Sequence, residues 1–222
     1  MLIVLSPLPY FDIGTVFITV ILTKEIEHIL AYESDTWKLF AGIFVTGGFL
    51  FSFGQYVPSW DSQYYPLLMT QNITYLDYLK SKYTLIQVFT IATTILSSWY
   101  LVFGLEVFSY VILGAIYNLT INSVIVLWGG AYVRTKIDLT SNKKAFGDKN
   151  AFNYRTLLLT LPKIALPLAL YGGFNYTLGP TAAKISIVVV SIAGYFLKPY
   201  LFKTIISIYQ KEKYETLKAY RS

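Results

Sequence analysis

The sequence predicts an all-α integral membrane protein, with about six transmembrane helices, and three observations carry that prediction. Of the 222 residues, 55% are hydrophobic and only 14% are charged, whereas a soluble domain carries about a quarter charged residues. The apolar residues fall in blocks that reach the roughly 20 residues a bilayer span requires. The basic and acidic residues sort into alternate connections between those blocks.

The expected spans, in order, cover residues 2–22, 37–57, 84–103, 107–133, 156–178 and 181–202. Pro7, Pro9 and Asp12 interrupt the first, so it is the least regular. Between the second and third, the stretch 72–83 places Ile73, Leu76 and Leu79 near a helical period among Thr74, Asp77, Lys80 and Lys82. That pattern predicts a short amphipathic helix. Pro58 is placed to end the second span, with Ser59 or Asp61 placed to cap the next helix. Pro162 and Pro167 predict kinks in the fifth span, covered by neighbouring helices. After the sixth, the tail FKTIISIYQKEKYETLKAYRS reads as the same helix running on into water.

Loop charge orients these spans. The connection after the first span is acidic (Glu25, Glu27, Glu33, Asp35 against Lys24); those after the third and fifth hold Glu106 alone or no charge. The connection after the second holds Lys80 and Lys82. The one after the fourth holds Arg134, Lys136, Lys143, Lys144, Lys149 and Arg155, and the tail holds Lys203, Lys211, Lys213, Lys218 and Arg221. Cytoplasmic loops collect Lys and Arg, so both termini are expected in the cytoplasm, with the whole chain one transmembrane domain. The net charge of +6 is then a topological signature rather than a nucleic-acid footprint, and the basic loop 134–155 is expected to be irregular and near anionic lipid. The start MLIVLSPLPYFD has no basic residue ahead of its apolar run, so no cleaved signal peptide is expected.

Several chemistries are excluded by what is missing. There is no cysteine, and His28 is the single histidine. Thiol, disulfide and thiolate metal chemistry therefore have no residues to use, and His28 has no second histidine to share a metal with. No HExxH, GxSxG, P-loop or intramembrane carboxylate pair is present. No enzyme activity, cofactor or metal is expected, and ATP, if used, is hydrolysed by a separate subunit.

Polar residues inside spans are costly and face other helices or water. Asn118 and Asn122 lie four apart on one face of the fourth span, with Thr120 and Ser123 nearby. They either glue helices together or line a path. Thr90, Thr94, Ser97 and Ser98 form a similar stripe on the third span, although hydroxyls also bond back to their own helix. Lys163 lies about two turns into the fifth span, either snorkelling to headgroups or attracting an anionic group; Lys184 snorkels at the outer end of the sixth. Gln55 sits one turn inside the second span, in the junction FSFGQYVPSWDSQYYP, where Trp60, Tyr64 and Tyr65 suit headgroup depth.

The junction and three longer stretches together suggest a family. FAGIFVTGGFLFSFGQYVPSWDSQYYPLLMTQNITYLDYLKSKYTL, YNLTINSVIVLWGGAYVRTKIDL and AFNYRTLLLTLPKIALPLAL resemble the C-terminal half of an uncharacterised bacterial, Bacteroidota-type membrane family, itself similar to permeases of ABC-2-type exporters. The resemblance covers residues 37–222. It implies a location in the bacterial inner membrane, a preceding half supplied elsewhere or by a second copy of the chain, and a cytoplasmic ATP-binding cassette ATPase as partner. It further implies that the helix from Asn72 to Tyr83, reached through Ser59 to Pro66, docks on that ATPase, with Trp60, Asp61, Tyr64, Tyr65, Tyr75, Asp77 and Tyr78 as the contact set. Gln55, Thr90, Thr94, Asn118, Asn122 and Lys163 would then belong to the translocation path or to contacts between helices.

The expected function is an exporter permease, or half of one, of unknown substrate, working by alternating access. A membrane scaffold or assembly subunit without a polar path is the competing class. A secondary transporter and an intramembrane enzyme rank below both, for lack of paired broken helices or a catalytic set.

Overall fold

The computed structural model describes residues 34–71, 73–137 and 154–221 of the chain. Among them there is helix and turn and no strand. The elements are α1 (Asp35–Ser52), α2 (Val57–Trp60), α3 (Tyr65–Thr70), α4 (Tyr75–Leu96), α5 (Leu105–Tyr117), α6 (Ser123–Gly130), α7 (Tyr154–Leu178) and α8 (Pro180–Arg221). Four stretches are long and apolar enough to cross a membrane: Asp35–Trp60, Tyr75–Phe103, Leu105–Gly130 and Pro180–Tyr220. They fall on the second, third, fourth and sixth expected spans. The fifth expected span is α7, a helix of 25 residues. The first expected span, with Asp12, lies outside the described residues, as do His28, Asn72 and most of the basic loop after Ile137.

Local chemistry sets the boundaries. Thr74 has extended backbone and accepts a bond from the Asp77 N–H, while its hydroxyl donates to the Asp77 carboxylate at 2.6 Å. This reciprocal cap starts α4. The predicted amphipathic helix is therefore not a separate element. It is the first turns of the third span, and the independent short helices are α2 and α3, inside the junction. Pro58 begins α2 instead of stopping a span, and neither Ser59 nor Asp61 caps: Asp61 sits at the end of α2 with its carboxylate committed elsewhere. Gly104 (φ 107°) turns the 3-10 segment Ser97–Phe103 into α5, and Gly179 (φ 86°) turns α7 into α8. Both take the left-handed backbone that glycine adopts without a steric penalty. Pro180 opens α8, where a missing N–H costs nothing.

The bundle is tightest where α1 meets α5. A Cβ on Gly42 would lie 2.3 Å from the Tyr110 carbonyl oxygen, and one on Gly114 would lie 2.4 Å from the Gly42 carbonyl carbon. The two backbones touch, as small residues permit in membranes. Two apolar clusters flank this contact. One joins Leu39, Ile43, Tyr110, Tyr117, Tyr171 and Ile187. The other, at the end of the bundle where α1 finishes, joins Leu50, Val57, Leu79, Ile86, Leu127 and Tyr209.

α8 has 42 residues. At 1.5 Å per residue it is about 63 Å long, some twice the hydrocarbon thickness. Its second half therefore extends past the bundle and packs on the junction, with Tyr209 and Tyr220 buried there.

Candidate functional site

The junction folds into a small helical knob. Trp60 stacks on Phe53 and donates its indole N–H to the Phe53 carbonyl at 3.2 Å. Asp61 accepts from the Tyr78 hydroxyl at 2.7 Å, and its two oxygens lie 2.7 and 3.0 Å from Lys82 Nζ. Tyr65 is buried, shares a hydrogen bond with Tyr75 (3.3 Å) and meets the Tyr220 ring edge-on. Burial pushes the Tyr65 phenol well above its usual pKa, and the bond to Tyr75 acts in the same direction. Ser62 donates to the Ile137 carbonyl and accepts the Ile137 N–H, tying in the chain beyond α6. Arg134 pairs with Glu212 and Glu215 on α8. Three elements thus converge on the sequence between Phe53 and Tyr65.

Of the predicted docking set, Tyr65 and Tyr78 hold the knob together instead of offering their rings outward. Tyr64 is 61% exposed and Asp77 is exposed. Leu67, Ile73 and Leu76 are also exposed beside them.

A polar seam lies deeper. Between α5 and α6 the chain makes one π-turn, Asn118–Asn122, a wide turn often found at functional sites. Asn118 Nδ2 donates to the Ile43 carbonyl (2.8 Å) and to Thr46 Oγ1 (2.9 Å), and Asn122 Nδ2 donates to Asn118 Oδ1 (2.7 Å). A Cβ on Gly47 would lie 2.7 Å from Asn118 Nδ2, so glycine makes room for this bridge. The wide turn also leaves carbonyls to side chains: Leu119 accepts from Tyr83 (3.1 Å), and Asn118 from Ser123. Gln87 donates to Ser123 at 2.9 Å. Asn118, Asn122 and Ser123 are fully buried.

The third cluster lies where the second span breaks. After Ser52 the helix gives way to a 3-10 turn, Gly54–Tyr56. A Cβ on Gly54 would lie 2.3 Å from Val126, so the break is pressed against α6. From that turn Gln55 Oε1 faces α7, accepting from Thr160 Oγ1 at 3.0 Å and from Lys163 Nζ at 3.1 Å. Lys163 is completely buried. It does not snorkel.

The predicted polar set is thereby divided. Asn118 and Asn122 are together, Gln55 and Lys163 are together, and Thr90 and Thr94 bond to carbonyls of their own helix (Ile86 and Thr90). Thr93, Thr46, Tyr83, Gln87, Thr160 and Lys198 lie outside the set the sequence predicts. Tyr83, Gln87, Thr90 and Thr94 share one helical face, a spacing that could have revealed the first two. Thr160 precedes Lys163 by one turn. Lys198, in the sixth span, lies 3.9 Å from the Tyr83 ring centroid, a cation–π contact with no sequence signal. Lys184 lies over the Tyr110 ring at 4.3 Å and donates to Ser109. No group of His, Cys, Asp or Glu among the described residues could hold a metal ion.

In comparison with known proteins, a model described as a family of unknown function (DUF5687) matches residues 13–222. No curated protein and no solved structure matches the chain.

Proposed function

The chain belongs to the DUF5687 family, and from the geometry of this member we propose a membrane permease, or half of one, worked by a separate cytoplasmic ATP-binding cassette ATPase. The reading includes six spans in a bacterial inner membrane, both termini cytoplasmic, and assembly with a second copy or a partner half. The knob then faces the cytoplasm, on the side of the basic connections. The substrate stays unassigned.

The observation that carries this reading is one uninterrupted helix. α4 leaves the knob, where Asp61 holds Tyr78 and Lys82, and runs to the seam, where Tyr83 and Gln87 bond to the π-turn region. A push on the knob is transmitted along a rigid rod to the one place where the fourth span departs from α-helix. Exposed Tyr64, Leu67, Ile73 and Leu76 supply an apolar face for the ATPase.

The test is co-expression with an ATP-binding cassette ATPase encoded beside the gene. Combined Tyr64→Ala, Leu67→Ala and Leu76→Ala is expected to abolish co-purification while leaving the fold intact. Unchanged association would remove the docking assignment.

A non-transporting scaffold is favoured by one observation: Asn118 and Asn122 are buried and spend their amide N–H groups on neighbours. On that reading the seam is glue, and the knob binds a partner without moving the spans.

A further inference from the structure

Lys163 is the one charged side chain that is fully buried among the described residues. The other lysines near the bundle have compensation. Lys38 pairs with Asp35 and Glu106, Lys82 pairs with Asp61, and Lys198 rests on an aromatic ring. Lys163 has no carboxylate partner among the described residues, and its bond is to the neutral amide of Gln55. An ammonium offers three donors, and a buried charge is stable only when paired and hydrogen-bonded.

We propose that Lys163, Thr160 and Gln55 form a binding site for an oxyanion: a phosphate or carboxylate group borne by a lipid headgroup or by a soluble ligand. Two donors one turn apart on α7, Thr160 Oγ1 and Lys163 Nζ, converge on a single oxygen. Gln55 Oε1 now holds that position and stands in for the oxygen of an anion. Gln55 and Thr160 are half-buried while Lys163 is not reached by solvent, so Gln55 covers the charge from the open side. Displacing one amide admits an oxyanion to both donors. The surrounding helix can yield, because Pro162 and Pro167 deprive the Leu158 and Lys163 carbonyls of their usual donors. The permease reading bears only on what the bound group is for, cargo or lining lipid; the binding itself does not depend on it.

The experiment places the full chain in micelles of an uncharged maltoside detergent, which carry no phosphate, and measures thermal unfolding through tryptophan fluorescence. One arm adds inorganic phosphate; the other adds phosphatidylglycerol to the micelles. The wild type is expected to gain several degrees in one arm, which identifies the source, because a ligand of the folded state alone raises its stability. Lys163→Met should lose that gain and Lys163→Arg should keep it. Gln55→Glu, which places a carboxylate on the same two donors, should unfold at higher temperature than wild type without any anion and respond to neither arm. No gain in either arm, an equal gain in Lys163→Met, or a Gln55→Glu variant that is not stabilised would each overturn the site. The readout needs neither ATPase nor transport, so its failure is distinct from loss of ATPase co-purification.

Discussion

The seam at Asn118 and the junction at Lys163 are both polar clusters inside apolar helices, yet they are built oppositely. At the seam the buried groups are neutral: the Asn118 amide donates twice and the Asn122 amide once, and the atom with no bond at all is an oxygen, Asn122 Oδ1. At the junction a full charge is buried against one shared amide oxygen. An unpaired neutral acceptor costs little compared with an unpaired charge. The seam therefore nearly satisfies its own buried groups, and the junction is where the described residues leave a buried charge without a counter-charge. A polar residue in a span is informative through what its partners leave over.

Substitutions should separate the two regions by sign as well as size. The largest effect is expected at the support of the seam. Gly114→Leu drives a side chain into the Gly42 backbone and should cost more than about 3 kcal/mol, read as loss of folded protein by unfolding in lipid. Asn118→Leu removes two donor bonds and strands Asn122 Nδ2. At about 0.6 kcal/mol for each such bond in a membrane, it should lower stability by about 2 kcal/mol. Lys163→Met should do the reverse. In phosphate-free detergent micelles it is expected to raise stability by about 1–2 kcal/mol, since a buried charge with no counter-charge among the described residues is replaced by an apolar chain of similar length. Equal destabilisation by the two substitutions would erase the distinction.

Asp61→Asn probes the knob, which is charged but paired. Its partners Lys82 and Tyr78 are partly shielded, and the expected loss is about 1 kcal/mol in unfolding, reduced by salt. Thr94→Val is the quiet control. The hydroxyl bonds only the Thr90 carbonyl of its own helix, and the change should stay within about 0.5 kcal/mol.

Legibility in the sequence depends on what each signal measures. Hydropathy finds where a helix is apolar, so the second to sixth expected spans fall on observed helices. It is blind to whether two helical stretches are joined. That is why the short amphipathic helix merges into α4: nothing between Asp77 and Thr84 breaks a helix, and the Thr74–Asp77 cap marks the true start. Asn118 and Asn122 are legible because their spacing is helical and their burial is costly. Lys163 is conspicuous in its span, but its depth there says nothing of the Gln55 turn that closes over it. Tyr65 and Tyr78 group with Tyr64 by proximity in sequence, and only packing shows that two of the three point inward.

The wild-type chain contains no cysteine, so a single introduced thiol reports alone. The most direct measurement compares Gln55→Cys with Asn118→Cys for reaction with membrane-impermeant thiosulfonates of opposite charge. The account predicts that position 55 reacts, and faster with the anionic reagent because Lys163 lies beside it, while position 118 is protected from both. Protection at both positions, or a preference at position 55 for the cationic reagent, would contradict it.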